Sequence, residues 1–237
     1  MNKVMKIYKT LYKEYGPQGW WPFINYEGKN TSKEGNTEGY HVLDYSFPRN
    51  KNEIFEVCLG SILTQNTTFT SVVKSLHNLN NINHLCYKKI KTMPIDELKI
   101  LIKPSGYHNQ KSNYILEFIN FFEALEDRIP TRDELLQIKG IGPETADSIL
   151  LFAFNQAQFK VDAYTKRMLV HNNLIAENAK YNEIKYFMEE EIKKEIKEEV
   201  ELIIVYQEYH ALIVNHAKQY YSKKPYGEGC FLTNQKL

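Results

Sequence analysis

Apolar residues recur three or four positions apart along most of this 237-residue chain, the spacing of a single helix face. That pattern predicts helices over 54–63, 70–79, 95–103, 111–125, 132–137, 144–154, 163–171, 181–199 and 202–221. Few stretches alternate apolar and polar residues as a half-buried strand would, so the expected class is all-α. No internal repeat is present. Residues 26–39 are polar and Gly-rich and read as a mobile loop or a short hairpin. Residues 188–201 (MEEEIKKEIKEEVE) read as an acidic helix, laced with Glu-to-Lys pairs four apart and facing solvent.

A hydrophobic content of 43% allows one or two buried cores. The formal charge of +1 taken alone argues mildly against a nucleic-acid partner. Charge is spread unevenly, however: Lys3, Lys6, Lys9 and Lys13 form one basic stretch, and Lys218, Lys223 and Lys224 another. Cys58, Cys86 and Cys230 are odd in number and far apart, which fits neither a disulfide framework nor zinc-ligand spacing. Residues 1–13 are amphipathic but lack an apolar core of signal-peptide length, and no run approaches a membrane span. The expectation is a cytoplasmic protein with no signal peptide and no membrane contact.

One stretch carries chemistry: Leu135-Leu136-Gln137-Ile138-Lys139-Gly140-Ile141-Gly142-Pro143-Glu144-Thr145-Ala146, followed after an apolar run by Val161-Asp162. It reads as a short helix, a turn with glycines two apart, and a second helix. Thr131 with Glu134 three residues on is a capping-box start for the first helix. Pro143 suits the first position of the second helix, where a missing N–H costs nothing. Gly140 and Gly142 can take positive φ and leave no side chain in a ligand's way. Successive N–H groups opening onto a helix N-terminus make an anion site. A Gly-rich connection with no ligand is the alternative for a bare G-x-G; cap, apolar pair, G-I-G and Pro-led helix together favour a grip on a DNA phosphate. Asp162 is either a plain helix N-cap or a carboxylate placed for chemistry.

The run from Ile138 to Ala146, through Val161-Asp162, resembles the helix–hairpin–helix and catalytic-aspartate motif of the endonuclease III superfamily of DNA glycosylases. Ile62-Leu63-Thr64-Gln65-Asn66-Thr67 is similar to that superfamily's Gln-containing loop, which probes the gap left by an extruded base. Ser105-Gly106-Tyr107-His108-Asn109-Gln110-Lys111 resembles its Gly-aromatic-x-Asn-x-Lys segment near the DNA wedge. The resemblance implies that Gly140, Ile141, Gly142 and Thr145 hold a phosphate, with Lys139 and Lys166-Arg167 beside it. It implies that Gln65 and Asn66 enter the vacated space, with Tyr107 as wedge and His108 or Asn109 as alternatives. Asp162 then stabilises the sugar's oxocarbenium-like state or activates water. The implied fold has two helical lobes with the active site in the cleft between them. Residues 51–158, including the hairpin at 131–154, form the central lobe, and 1–50 with 159–237 form the other.

Three departures narrow the resemblance. Strand-cleaving members carry a lysine two residues after the second hairpin glycine, where this chain has Glu144, and a carboxylate forms no Schiff base. Base removal without strand cleavage is expected, and a lyase acting through some other lysine is the alternative. The loop Lys224-Pro225-Tyr226-Gly227-Glu228-Gly229-Cys230 resembles the one that carries the superfamily's iron–sulfur cluster, but the four ligand positions are Tyr220, Gly227, Cys230 and Lys236. One thiolate cannot hold a cubane, so no cofactor is expected. Finally, Gly16-Pro17-Gln18-Gly19-Trp20-Trp21-Pro22-Phe23 contains both tryptophans of the chain. They either plug a domain junction or build a flat aromatic wall with Phe23, Tyr45 and Phe47.

A Trp-Trp-Pro segment ahead of Thr-Gln-Asn-Thr resembles the 3-methyladenine DNA glycosylase III group, which also has glutamate at the lysine position and no cluster. The implied base pocket is Trp20, Trp21, Phe23, Tyr45, Phe47 and Glu144. A cationic alkylated purine stacks well on indole, at about 0.5–2 kcal/mol per contact. The implied partner is double-stranded DNA with a damaged base, bound by a monomer. Two rival readings stay open: the same scaffold acting on uracil, mismatched thymine or an oxidised purine, and a non-catalytic helix–hairpin–helix DNA-binding protein.

Overall fold

The computed structural model describes residues 1–29 and 38–233. These form eleven α-helices: α1 (Lys3–Tyr15), α2 (Lys51–Leu63), α3 (Phe69–Asn81), α4 (Tyr87–Thr92), α5 (Ile95–Leu101), α6 (His108–Ala124), α7 (Arg132–Gln137), α8 (Pro143–Ala153), α9 (Ala163–His171), α10 (Tyr181–Lys193) and α11 (Glu199–Tyr220). A single 3₁₀ turn, Lys103–Ser105, joins α5 to α6, and no strand occurs among the described residues. Side-chain caps start several helices: Asn2 for α1, Asn50 for α2, Thr68 for α3 and Asp162 for α9. The Thr131–Glu134 capping box at α7 is formed in both directions, as its sequence predicts.

Two helical lobes result. On one side α2 lies between α8, α6 and α3, with α5 against α6 and α7 against α8. On the other, both ends of the chain meet: α1 packs on α11 and α10, and α9 packs on α11. Asn2 donates to the Glu191 carbonyl at 2.6 Å, and the Tyr209 hydroxyl donates to the Val4 carbonyl at 2.8 Å. Helices α2 and α8 are covered on all faces, and residues 55–63 and 145–153 are continuously buried, among them Glu56 and Asp147. The Ser61 and Ser148 hydroxyls meet at 3.1 Å in their contact. Asp147, fully buried on α8, binds Arg132 through two bonds (2.7 and 3.1 Å), accepts from the Tyr181 hydroxyl at 2.8 Å and faces Lys185 at 3.7 Å. One carboxylate thus joins α7, α8 and α10.

Two sequence expectations need correction. The helix expected over 181–199 ends at Lys193, and α11 begins at Glu199, so 188–201 is not one helix. Ile192 and Leu202 are buried and Ile196 packs on the core. The six residues from Ile196 to Leu202 turn a straight helix by about 240°, which would point one of them at water; the break avoids this. Nor are the acidic groups simply solvated, for Glu189 accepts from the Phe159 N–H and from Lys185, and Glu195 accepts from the Asn2 N–H. The ion pair within this stretch, Glu191–Lys194, is three apart rather than four. Most of the 26–39 loop lies outside the described residues. Its ends close on each other, Gly39 N–H donating to the Gly28 carbonyl at 3.4 Å.

Replacing Arg132 by Met leaves Asp147 buried with only Tyr181 and Lys185. Urea denaturation should show a loss of about 3 kcal/mol, the scale for breaking a buried ion pair from one side.

Candidate active site

The hairpin joins α7 to α8. Gly140 has φ of +86°, and a Cβ there would lie 2.3 Å from the Tyr114 ring, so both backbone and packing require glycine. Gly142 is different: its φ of −92° is open to any residue, and nothing lies within 4 Å of where a Cβ would be. Its role is clearance rather than conformation. No side chain caps α8, so the first-turn N–H groups behind Gly142 point at open space. Lys139, Gly142 and Pro143 are exposed, while Ile141 and Thr145 are buried and anchor the turn.

Beside the hairpin is a cavity of about 310 Å³, lined by Trp21, Ser61, Thr64, Gln65, Asn66, Gly140, Gly142, Glu144, Thr145, Ser148 and Lys160. Trp21 forms one wall, packed against Phe69 and Phe152 at ring distances of 5.3 and 5.9 Å. Gly60 on α2 makes room for it, since a Cβ there would lie 2.7 Å from the indole. Gln65 donates to the Gly140 carbonyl at 2.7 Å and to the Thr145 hydroxyl at 3.1 Å, joining its loop to the hairpin. Asn66 follows in a left-handed conformation.

The aromatic wall is narrower than the sequence suggests. Trp20 stands edge-on behind Trp21 (5.8 Å), packs on Phe69 and Tyr40, and does not line the cavity. Phe23 and Phe47 stack on each other and on His41, with the Arg49 guanidinium 4.0 Å above the Phe47 ring. They are buried in the core outside the cavity lining, where Tyr26 packs on Phe47 at the base of the 26–39 loop. Tyr45 donates to Glu208 at 3.4 Å and is likewise outside the cavity. Of the expected pocket residues, the structure brings together Trp21 and Glu144.

Asp162 lines an adjoining cavity that shares Glu144 with the first. Its two oxygens do different work. Oδ1 caps α9, accepting from the Thr165 N–H at 2.8 Å and the Thr165 hydroxyl at 3.0 Å. Oδ2 takes no part in the cap and lies 3.9 Å from His210 Nε2. One oxygen of this carboxylate is thus committed to the cap and the other is not.

Two further residues complete the cluster. Lys160, buried two residues before Asp162, places Nζ 3.7 Å from Glu144 Oε1 and 3.5 Å from His210 Nε2. Burial and the Lys160 charge lower His210 far below its ordinary 6.5, with the Asp162 carboxylate opposing, and its Nδ1 has no partner. Burial pushes the Asp162 carboxyl up, but the neighbouring His210, the Lys160 ammonium and the Thr165 bonds together more than offset this and leave it below the ordinary 3.8. Enclosure raises Glu144, with Lys160 opposing and Asp162 adding to the shift. Neither Lys160 nor His210 is marked by the sequence motifs. A charged residue between buried Phe159 and Val161 was the available signal for Lys160; His210 sits 50 positions away within an apolar helix and had none.

At the cleft's rim, Tyr107 is 62% exposed, with left-handed φ at the start of α6, and Asn109 is exposed beside it. Buried Lys111 donates to the Leu63 and Ser105 carbonyls, both at 2.7 Å. It thereby joins the Gln65 loop to the Tyr107 turn, and burial lowers it to about 8.

The C-terminal loop does not suit an iron–sulfur cluster. A Cβ at Gly227 would lie 2.4 Å from the His171 ring, and Cys230 is buried with its sulfur 3.2 Å from His216 Nε2 and 3.4 Å from the Tyr221 hydroxyl. Phe231 and Tyr220 pack on His216. Rings occupy the space and one thiol is present; Lys236 lies outside the described residues.

An all-helical, two-lobed scaffold with a hairpin and a capping aspartate at the cleft defines the helix–hairpin–helix DNA glycosylase class. Residues 59–194 match the HhH-GPD superfamily base excision DNA repair protein profile. A Methanocaldococcus jannaschii protein, named provisionally as a DNA repair glycosylase, is 37% identical over 96% of this chain and 92% of its own length. Endonuclease III of Sulfolobus acidocaldarius is 27% identical over 81% of this chain and 84% of its own. The crystal structure of H. pylori 3-methyladenine DNA glycosylase (MagIII) bound to 1,N6-ethenoadenine superposes with a TM-score of 0.69 at 28% identity, covering 92% of this chain and 98% of that one. The chain belongs to the HhH-GPD family of base excision repair DNA glycosylases.

Replacing Lys160 by Met removes the cation that favours both carboxylates and disfavours a charged His210. NMR titration should show the Glu144, Asp162 and His210 pKa values all moving up.

Proposed function

We propose that this chain is a monofunctional DNA N-glycosylase that excises alkylated purines of the 3-methyladenine kind from double-stranded DNA. The observation that carries this reading is the pairing, across one cavity, of the Trp21 indole with Glu144 at the position where strand-cleaving relatives hold their lysine. The likeness to the H. pylori 3-methyladenine enzyme supports it.

In this reading the hairpin amides and Lys139 hold a phosphate, while Gln65, Asn66, Tyr107 and Asn109 meet the distorted duplex. The flipped base stacks on Trp21. Glu144 and Asp162 carry two negative charges against the single charge of Lys160, a balance that suits a cationic base. A base that is already positive leaves without much general-acid help. The free Oδ2 of Asp162 stabilises the oxocarbenium-like sugar and orients water toward C1′. We further propose that the enzyme acts as a monomer, that its lobes divide near residues 51 and 158, and that it works without a metal cluster.

Labelled duplexes containing 3-methyladenine, 7-methylguanine, uracil, mismatched thymine or 8-oxoguanine test the proposal. The wild type should release the methylated purines, and Asp162→Asn should slow release by about 10²–10⁴-fold. Preferential release of uracil, thymine or 8-oxoguanine would replace the proposed substrate, and no release at all would leave a DNA-binding protein. Borohydride should trap no cross-link to an abasic duplex; one mapping to Lys160 would overturn the monofunctional reading. Absorbance at about 400 nm in the purified protein would restore the cluster.

The pH profile separates the two carboxylates. A group whose pKa is lowered stays ionised further into acid, so an essential Asp162 predicts no acid limb down to about pH 5. A limb above that would assign the essential carboxylate to Glu144, whose pKa is raised.

A further inference from the structure

The tryptophans sit on a segment, residues 16–26, with no helix or strand to satisfy its backbone. Beside two loop bonds, Phe23 N–H to the Gly39 carbonyl and His41 N–H to the Gly19 carbonyl, two buried glutamates from different helices do part of this work. Glu208 of α11 accepts from the Gln18 N–H at 2.7 Å and, through its other oxygen, from the Gly19 N–H at 3.1 Å. Glu56 of α2 accepts from the Ile24 N–H at 2.8 Å. The bonds bracket Trp20-Trp21, with one carboxylate just before the pair and the other three residues after it.

Both carboxylates are nearly inaccessible, at 2% and 4% exposure, and among the described residues neither has an ion-pair partner. An unpaired buried carboxylate is costly to the fold. Burial raises Glu56 to about 7 and Glu208 above its ordinary 4.5, and the backbone N–H groups oppose that rise by favouring the ionised form. What each carboxyl supplies is a pair of oxygens able to take two backbone groups at once. Glycines complete the fixture. A Cβ at Gly19 would lie 2.4 Å from the Val42 nitrogen, so the segment lies hard against its neighbour, and Gly60 opens the slot that receives the Trp21 indole.

We propose that Glu56 and Glu208 are positioning residues for substrate selection: together they clamp the tryptophan segment from both sides and hold Trp21 as a wall of the base cavity. This rests on the reading that the cavity receives the excised base. The clamp acts through Trp21 and touches neither substrate nor the reacting atoms, so its loss should weaken recognition of the damaged base while sparing contact with undamaged duplex.

Both tryptophans of the chain lie in the clamped segment, so indole fluorescence reports on it alone. The full-length wild type, Glu56→Gln, Glu208→Gln and the double variant are compared by acrylamide quenching and by binding to duplexes with and without 3-methyladenine. Quenching should rise about twofold or more in the double variant, and damaged-duplex affinity should fall about fivefold, with undamaged duplex unaffected. Unchanged quenching, or an equal loss on both duplexes, overturns the proposal. Amide hydrogen exchange of the wild type decides the matter should the variants not fold: Gln18, Gly19 and Ile24 should be protected despite lying outside any helix, and free exchange at all three overturns the clamp. Neither quenching nor exchange needs turnover. A wild type that releases no base therefore defeats the functional reading separately.

Discussion

The cleft depends on one contact, the side-by-side burial of α2 and α8. Each helix is buried all round over nine consecutive residues, mostly apolar, and can be stable only when covered on every face. Together they form the spine on which other elements are hung. The Gln65 loop leaves the C-terminal end of α2, and the hairpin enters the N-terminal end of α8, so packing the helices brings these two segments together. The Ser61–Ser148 contact lies at the floor of the same cavity, and Gly60 one residue earlier admits Trp21. Close packing of this kind transmits small displacements, so recognition geometry here is a property of the core as much as of the surface.

What was legible in the sequence was local. The capping box at Thr131–Glu134, Pro143 at the head of α8 and Asp162 at the head of α9 are contacts between residues three or four apart, and their spacing announces them. The hairpin, the absence of lysine at Glu144 and most helix positions followed from such short-range rules. What escaped was tertiary. The break after Lys193 turns on which core face receives Ile196 and Leu202, which no window of periodicity contains. Lys160 meets Glu144 only because the segment before α9 packs on α8, and His210 joins them only because α11 crosses behind. Phe23 looked like a pocket residue because it follows the tryptophans, and Phe47 because it lies in a second short stretch with rings, yet their stack with His41 has its own site to fill.

Charge tells a similar story of local arrangement over total composition. A chain of formal charge +1 can still meet DNA when an uncapped helix end and a glycine turn offer backbone dipoles in place of side-chain cations. The cleft itself runs the other way, with carboxylates outnumbering the lysine among them. On the proposed reading the first region meets phosphate and the second a cationic base, so each has the sign its contact requires.

Asp162 has a consequence beyond its own position. Its Oδ1 is the first stitch of α9 while its Oδ2 is left out of the cap, so on the proposed reading the reactive group and the start of a structural element are one residue. Should the first turn of α9 fray, the carboxylate loses its fixed orientation together with the bonds that keep it ionised. Partial unfolding would then silence the protein before it could become indiscriminate, a safeguard of some value in a molecule that breaks bonds in the genome.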